Sequence, residues 1–277
     1  MTTFRKILCL ILLLCNTLQA ITRDVEKYVT YRPEYPSELF TTLAEKLNLS
    51  HQECLVDLGC GSGQLTIPMS RYFKKVLAID MDRGMIEKAQ QQGYQKDIQN
   101  IQWHVNSAEG AVAHLDGPVD LITIATAFHW MDRKAVLEQS YRSLKNGGGI
   151  VILCAASWWT SETPWQKEII MAVKSYLGEN QPYYPPAYVH NSSHAPLLKE
   201  AGFVHLESMV VATPKEWTLE KVLGYLYSTA YCAPGHFGDR LAEFEREVSD
   251  IFNKNNPSGV ALEDFPFHIL VGRKNSL

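Results

Sequence analysis

The apolar residues of the chain fall into short continuous runs, which are separated by longer stretches with apolar residues at helical spacing. Runs of this length predict buried strands, and the helical spacing predicts amphipathic helices between them. The predicted strands of the first half are residues 54–56, 75–79, 101–105, 119–124 and 150–154. The predicted helices are 37–47, 64–73, 81–92 and 133–144. This alternation predicts an α/β fold with a doubly wound, parallel sheet and right-handed crossovers.

The regular alternation stops after residue 154. In the second half we expect strands at 203–212 and 265–271 and helices at 165–177, 193–201, 217–232 and 240–253. The fold class predicted is a Rossmann-like, seven-stranded sheet, mostly parallel, with an antiparallel last strand beside the sixth. We expect one domain over 21–277, with its core at about 37–154 and helical insertions at about 155–200 and 213–255.

Glycine and proline mark several predicted boundaries. Gly93 and the run 146–149 are expected to end the helices that precede them. Residues 28–36 contain two prolines and are expected to form an extended or turn segment before the first helix.

A glycine-rich turn follows the first predicted strand and Asp57. Gly59, Gly61 and Gly63 alternate with Cys60 and Ser62 in this turn. Glycine tolerates positive φ and lets the backbone approach a ligand closely, and the N–H groups at the start of the next helix face the same crevice. Asp80 ends the second strand, where an acidic residue is well placed to bind a ribose diol. The pattern predicts a nucleoside-containing cofactor across the carboxyl ends of two parallel strands.

The spacing of the glycines distinguishes between cofactors. A dinucleotide fingerprint reads G-x-G-x-x-G, whereas this turn reads G-x-G-x-G with Gln64 after it. Asp57 lies two residues before Gly59, the first residue of the turn, and its negative charge disfavours a pyrophosphate. A cofactor with a sulfonium and an ammonium suits this turn better. The stretch VDLGCGSG, residues 56–63, resembles motif I of class I S-adenosylmethionine-dependent methyltransferases.

Three further segments resemble one subgroup of that family, the methyltransferase type 11 domains similar to trans-aconitate methyltransferase. YRPEYP, residues 31–36, resembles a signature upstream of motif I. AFHWMD, residues 127–132, resembles A-x-H-W-F-D, with methionine where phenylalanine is usual. GYLYSTAYC, residues 224–232, resembles the helix of the substrate lid. There the family has a tryptophan and a serine and this chain has Tyr227 and Ser228, which leaves the substrate open.

The resemblance implies a set of residues that bind S-adenosylmethionine. They are Asp57, Gly59, Cys60, Gly61, Gly63, Asp80, Met81, Ala108, Glu109 and Thr126. Met81 is expected to cover the adenine, with packing in the core as the alternative. Ala108, through its backbone, and Glu109 are expected to touch the adenine edge, with a solvated turn as the alternative.

The resemblance also implies that Tyr31, Arg32 and His129 face the reacting groups. His129 has three interpretations, which are a general base, a cation near a substrate carboxylate, and a packed ring. The tyrosines of 28–36 have packing against the sheet edge as their alternative. Methyl transfer is an in-line displacement, and a carboxylate nucleophile needs no base at neutral pH. Arg32 and His129 are candidates to hold such a carboxylate.

The overall composition limits the partners. The formal net charge is −4, and no long basic run of the kind that binds nucleic acid is present in the sequence. The six cysteines form no C-x-x-C pair, so no metal is expected. We predict methyl transfer to a small molecule, with O-methylation of a carboxylic acid as one form of it. Two alternatives are a non-catalytic cofactor-binding or exported interaction protein and a nicotinamide-dependent oxidoreductase.

The first twenty residues resemble a secretory signal peptide. Arg5 and Lys6 precede an apolar run at 7–14, and Ala20 is a small residue at the expected cleavage site. The run is too short to span a bilayer, so no spanning helix is expected in the mature chain. Cofactor supply favours the cytoplasm, whereas a functional signal predicts export. An N-terminal extension or an early start codon is the alternative to a signal.

Overall fold

Seven strands form one sheet in the computed structural model of the protein, which describes residues 24–115, 117–178 and 194–276. The strands are β1 Cys54–Leu58, β2 Lys75–Asp80, β3 Ile101–Val105, β4 Val119–Ala125, β5 Leu144–Ala155, β6 Val204–Trp217 and β7 Ala261–Arg273. Their order across the sheet is β3-β2-β1-β4-β5-β7-β6. The reversal of direction in this order, between β1 and β4, is where a doubly wound sheet opens a crevice for a ligand.

The first five strands are parallel, and β7 pairs with β5 in the antiparallel direction. In this register Leu58 faces Ile79, Asp57 faces Thr123, and Asp80 faces Val105. The carboxyl ends of β1 to β5 therefore lie along one edge of the sheet. The predicted fold class, with seven strands and an antiparallel last strand, is confirmed.

The helices flank or follow the strands. They are α1 Val25–Tyr31, α2 Ser37–Leu47, α3 Thr66–Met69, α4 Arg83–Gln95, α5 Ala108–Val112, α6 Arg133–Ser143, α7 Pro164–Leu177, α8 Ala195–Glu200, α9 Leu219–Tyr227 and α10 Leu241–Asn255. The central strands are apolar because both sheet faces are covered, and Val56, Ile122 and Ile152 are fully buried in one core cluster. Among the described residues, no helix is both long and apolar enough to cross a membrane.

Two glycine predictions are wrong. Gly93 lies inside α4, which continues to Gln95, and it lacks the positive φ of a glycine that ends a helix. The run 146–149 lies within β5, which starts at Leu144. A Cβ on Gly148 would be 3.0 Å from the Asp120 carbonyl oxygen, so this glycine serves close pairing of strands.

Three boundaries differ from the sequence prediction because of side-chain hydrogen bonds. Residues 25–31 are helical, since the Asp24 carboxylate caps α1 by accepting from Lys27 N at 3.0 Å. The helix expected at 64–73 is short, because the Asn100 amide donates to the Ser70 and Phe73 carbonyls at 2.8 Å each. The helix expected at 217–232 begins only at Leu219, after the cap Thr218.

The described chain divides into two compact units. The sheet unit comprises residues 33–115, 117–167, 194–216 and 261–276, and the helical unit comprises 24–32, 168–178 and 217–260. In the helical unit, Tyr176 packs edge-on against Phe244 at 5.4 Å, and Phe237 stacks on Phe244 at 4.1 Å. The predicted domain boundaries stay a prediction, and the predicted signal segment 1–20 lies outside the described residues.

Candidate cofactor site

The turn after β1 is bound to the neighbouring strand through its backbone. The N–H groups of Gly59 and Cys60 both donate to the Ile79 carbonyl, at 2.8 and 2.9 Å. Gly63 N donates to the Cys60 carbonyl at 3.0 Å and closes the turn. The turn therefore lies at the carboxyl ends of β1 and β2, which is the place predicted from the sequence.

The first two glycines of the turn meet different surroundings. Gly59 has a φ of +70°, and a Cβ there would be 2.5 Å from the Ala127 Cβ. Gly61 has a φ of +53°, and no atom lies within 4 Å of the position of its Cβ. Gly59 is therefore required by packing against the segment after β4. Gly61 instead leaves its backbone open on one side, as a site for a close ligand requires.

Gly63 and the Cys60 side chain pack against neighbouring elements. A Cβ on Gly63 would be 3.0 Å from the Ile67 Cδ1, so this glycine permits close packing of the turn on α3. The Cys60 side chain is buried against Ala78 and Ile86. Burial raises the pKa of the Cys60 thiol well above its usual range, and the nearby aspartates add to this effect. The thiol therefore stays protonated, and Cys60 offers a ligand only its backbone.

Asp80 joins the turn to the start of α4. Its Oδ2 accepts from Gly61 N at 2.8 Å, and its Oδ1 accepts from Asp82 N at 2.9 Å. Each carboxylate oxygen can accept from more than one donor. The half-buried carboxylate at the end of β2 fits the two hydroxyl groups of a ribose.

Asp57 is fully buried below the turn. Thr66 Oγ1 donates to one of its oxygens, and Thr123 Oγ1 donates to the other at 2.7 Å. Burial raises the pKa of Asp57 to about 6, although both hydrogen bonds oppose this rise. The carboxylate thus ties α3 and β4 to β1, and a ligand above the turn would sense its charge without touching it. Thr66 and Thr123 were missed in the sequence, where the only signal was a hydroxyl residue within an apolar run.

Exposed apolar side chains extend the site beyond β2 and β3. Met81 is 73% exposed and Val105 is 42% exposed, at the ends of adjacent strands. The alternative interpretation of Met81 as a core residue is therefore wrong. An apolar surface next to the Asp80 carboxylate suits the base and the ribose of a nucleoside.

Residues 107–109 form the start of α5, where a solvated turn was the alternative. Ser107 caps the helix by accepting from Gly110 N at 3.0 Å, and Ala108 is buried. The Glu109 Oε1 accepts from Asp132 N at 2.9 Å. Glu109 therefore connects the segment after β3 to the segment after β4, and Asp132 itself caps α6 as predicted.

Thr126 has an unusual backbone. It is a β-branched residue with a φ of +54°, a conformation that such residues rarely adopt. Its N–H donates to the Leu153 carbonyl at 2.7 Å, and its Oγ1 shares a hydrogen bond of 3.3 Å with the Tyr35 hydroxyl. Backbone strain of this kind is found at binding sites, so the outlier supports a functional role for this position.

Comparisons with known proteins agree with this geometry. A family model described as a methyltransferase domain matches residues 55–148. A Dictyostelium discoideum protein named as a methyltransferase is 23% identical over 253 residues, which cover 90% of this chain and 92% of the relative. A solved structure from Anaeromyxobacter dehalogenans, named as a type II methyltransferase, is 24% identical and has a TM-score of 0.60. The match covers 90% of this chain and 100% of the chain in that structure. The chain carries a class I methyltransferase domain. Methyltransferases of this family use S-adenosylmethionine.

The Escherichia coli tRNA 5-carboxymethoxyuridine methyltransferase is 31% identical over 101 residues, which cover 36% of this chain and 39% of the relative.

His129 of the methyltransferase follows the carboxyl end of β4. It lies in a single 3₁₀ turn, Phe128–Trp130, and its half-buried ring is 4.9 Å from the Trp130 ring. The sheet unit thus holds His129 and all ten residues expected to bind the cofactor.

Tyr31 and Arg32 of the methyltransferase belong to the helical unit. The Tyr31 hydroxyl donates to Glu220 Oε1 at 3.2 Å, and this bond raises the pKa of Tyr31. The Arg32 guanidinium donates to the Ser228 carbonyl at 3.3 Å and lies 5.3 Å from the ring centroid of Tyr225. These contacts give both residues a role in packing the helical unit. Among the described residues, no group of side chains suited to a metal ion is found.

Proposed function

We propose that the protein transfers a methyl group from S-adenosylmethionine to a small molecule. The observation that carries this proposal is the pair formed by Gly61 and Asp80. No atom lies within 4 Å of the position of a Cβ on Gly61, and Gly61 N donates to Asp80 Oδ2 at 2.8 Å. When bound, S-adenosylmethionine supplies a methyl group made electrophilic by the sulfonium.

Each part of the cofactor has a matching group in the sheet unit. Asp80 would accept from the ribose hydroxyls, and the open backbone of Gly61 would lie against the methionine part. Met81 would cover the adenine, and the segment starting at Ala108 would meet its edge. The buried Asp57 carboxylate would favour the positive centres of the cofactor, because charges interact strongly where water is excluded.

The same features speak against the alternative cofactor. A pyrophosphate would bring negative charge above Asp57 and next to Asp80, and the turn lacks the third glycine of a dinucleotide fingerprint. An interaction protein that binds no cofactor would need neither the open face at Gly61 nor the hydrogen-bonded carboxylate at Asp80. A non-catalytic cofactor-binding protein would keep both, so only an assay of methyl transfer distinguishes it.

O-methylation of a carboxylate is the narrower form of this proposal. Its support is the resemblance of residues 31–36 to enzymes of small carboxylates, together with the carboxymethoxy group in the name of the Escherichia coli relative. A carboxylate nucleophile also needs no general base, and His129 would serve as its cation. Arg32 is a weaker candidate for this role, because its described contacts hold it within the helical unit.

Calorimetric titration tests the cofactor. S-adenosylmethionine and S-adenosylhomocysteine should bind, and nicotinamide dinucleotides should not. Asp80→Ala should weaken binding at least about tenfold, since each lost charge-assisted hydrogen bond contributes roughly 1.5–3 kcal/mol. Glu87→Ala removes an exposed carboxylate from α4 and is the matched control. Unchanged affinity in Asp80→Ala would remove Asp80 from the site.

A labelled methyl donor tests the acceptor. Incubation with small carboxylic acids should give a product whose label is released as methanol by mild alkali, which identifies a methyl ester. An alkali-stable product would exclude the ester and keep methyl transfer itself.

A further inference from the structure

A cavity of about 290 Å³ lies within the sheet unit, beyond the residues expected to bind the cofactor. One wall is the segment that follows β5, from Ala156 to Gln166, and the other is the first half of β7. Ala155 at the end of β5 pairs with Phe267 of β7, so the two walls meet at the carboxyl end of the sheet. The volume is close to the lower limit for small-molecule sites and suits one part of a substrate.

Most side chains around the cavity are polar, and the titratable ones are Glu263, Asp264 and His268. Glu263 and Asp264 bring two carboxyl groups, and hydroxyl groups come from Ser157, Thr160 and Ser161. Of the described residues that line the cavity, none is a lysine or an arginine. An anionic ligand would meet repulsion here, whereas a cation would find compensating charge.

The Glu263 carboxylate is held in place by a buried amide. Gln166 at the start of α7 is only 2% exposed, and its Nε2 donates to Glu263 Oε2 at 2.7 Å. The amide is positioned by its helix, so it fixes the carboxylate before any ligand arrives. Preorganisation of this kind reduces the entropy lost on binding.

Aromatic residues form the apolar part of the lining. Trp158 packs edge-on against Trp165 with a centroid distance of 5.0 Å, and Phe265 packs against Phe267 at 5.4 Å. Trp158 and Phe265 therefore give the cavity an apolar part beside the Glu263 carboxylate, which suits the carbon skeleton of an amine.

Tyr35 places the cavity beside the candidate cofactor site. Its hydroxyl shares a hydrogen bond of 3.3 Å with Thr126 Oγ1, and its ring lies 5.0 Å from the Phe267 ring. Phe267 in turn contacts Phe265, which lines the cavity. This chain of contacts connects the lining of the cavity to the carboxyl end of β4.

We propose that this cavity binds a cationic amino group of the methyl acceptor, at the Glu263 carboxylate. The substrate class is accordingly a small amine or amino acid derivative, whose reacting atom lies outside the cavity. This inference rests on the proposed function, because it assumes that the molecule held here receives the methyl group.

Ligand-observed NMR on the full chain tests the charge preference with benzylamine, benzyl alcohol and benzoate, which match in size and differ in charge. Benzylamine should bind at least about tenfold more tightly than the other two. Glu263→Gln should remove this preference. Glu87→Gln removes one exposed carboxylate elsewhere in the sheet unit and should leave it unchanged. Equal binding of benzoate, or a preference that survives Glu263→Gln in a folded protein, would overturn the proposal.

A competition experiment separates this proposal from the proposed function. S-adenosylhomocysteine has an ammonium group of its own, and its saturation should leave benzylamine affinity unchanged. Displacement of benzylamine would assign the cavity to the cofactor and overturn the proposal. Failure of S-adenosylmethionine to bind in calorimetry would overturn the proposed function and, with it, the assignment of the amine as a methyl acceptor. The charge preference is measured without cofactor, so each failure is seen by itself.

Discussion

The turn after β1 and the segment after β5 both lie at the carboxyl edge of the sheet, yet the first presents backbone groups and the second presents side chains. In the turn, backbone N–H groups make the hydrogen bonds. Those of Gly59 and Cys60 donate to a carbonyl of β2, and that of Gly61 donates to the Asp80 carboxylate. In the cavity, the hydrogen bond joins two side chains, Gln166 and Glu263, which are 97 residues apart in the sequence. The turn is formed within one segment of the sequence, whereas the cavity is formed only where two distant segments meet.

This difference explains what each region would recognise. A backbone turn with an open glycine fits the invariant part of a reaction, which is the methyl donor. A cavity lined by interchangeable side chains can change its ligand by single substitutions, as the part that selects a substrate must. The following experiments test whether the two regions are independent in this way.

Gly59→Ala should produce the largest effect. A Cβ at this position would be 2.5 Å from the Ala127 Cβ, at a φ of +70°. Strain and overpacking together should lower the free energy of unfolding by about 3 kcal/mol, measured by urea denaturation. Gly61→Ala shares the positive φ and lacks the clash, so it should cost only about 1 kcal/mol. Equal losses in the two variants would mean that the close approach to Ala127 is relieved at no cost.

Asp57→Asn should change how stability depends on pH. The pKa of Asp57 is raised to about 6 from a usual value of 3.8, so the native state holds its proton over a range where the unfolded chain releases it. Stability from this group is therefore present at pH 4 and is lost as the pH rises through 6. Relative to the variant, the wild type should lose about 2 kcal/mol between pH 4 and pH 6.5 in urea unfolding. A difference that stays constant over this range would show that Asp57 does not titrate there.

Gly61→Ala should separate binding from folding. The added methyl group enters the open space where the cofactor is proposed to lie. S-adenosylmethionine affinity should fall at least about tenfold in calorimetry, whereas benzylamine binding in the cavity should not change. Loss of both would indicate one continuous site and would break the comparison.

Tyr35→Phe should have the smallest effect. Tyr35 touches both regions, through a hydroxyl bond to Thr126 and a ring contact with Phe267. The variant keeps the ring and should lose about 0.5 kcal/mol of stability, the lower limit for one net hydrogen bond. Affinities for the methyl donor and for benzylamine should each change less than about twofold. A larger change in both would show that the two regions are coupled through Thr126.

The sequence was informative where one residue determines its own conformation or where a pattern is local. The strand alternation, the helix at Ser37–Leu47, the cap at Asp132 and the acid at the end of β2 all follow from nearby residues. Predictions failed where a distant group intervened. The Asn100 amide shortened the helix expected at 64–73, and the close approach of the Asp120 carbonyl oxygen gives Gly148 a role within β5 instead of at the end of a helix.

By itself, then, the sequence determined the fold class and the local cofactor motif, because hydrophobic period and glycine spacing act over a few residues. The tertiary structure decided everything that depends on distant partners. It buried Asp57 between Thr66 and Thr123, placed Tyr31 and Arg32 in the helical unit, and joined Gln166 to Glu263 around a cavity. Burial and pairing are properties of packed neighbours, and these neighbours meet only when strands and helices pack together in the folded chain.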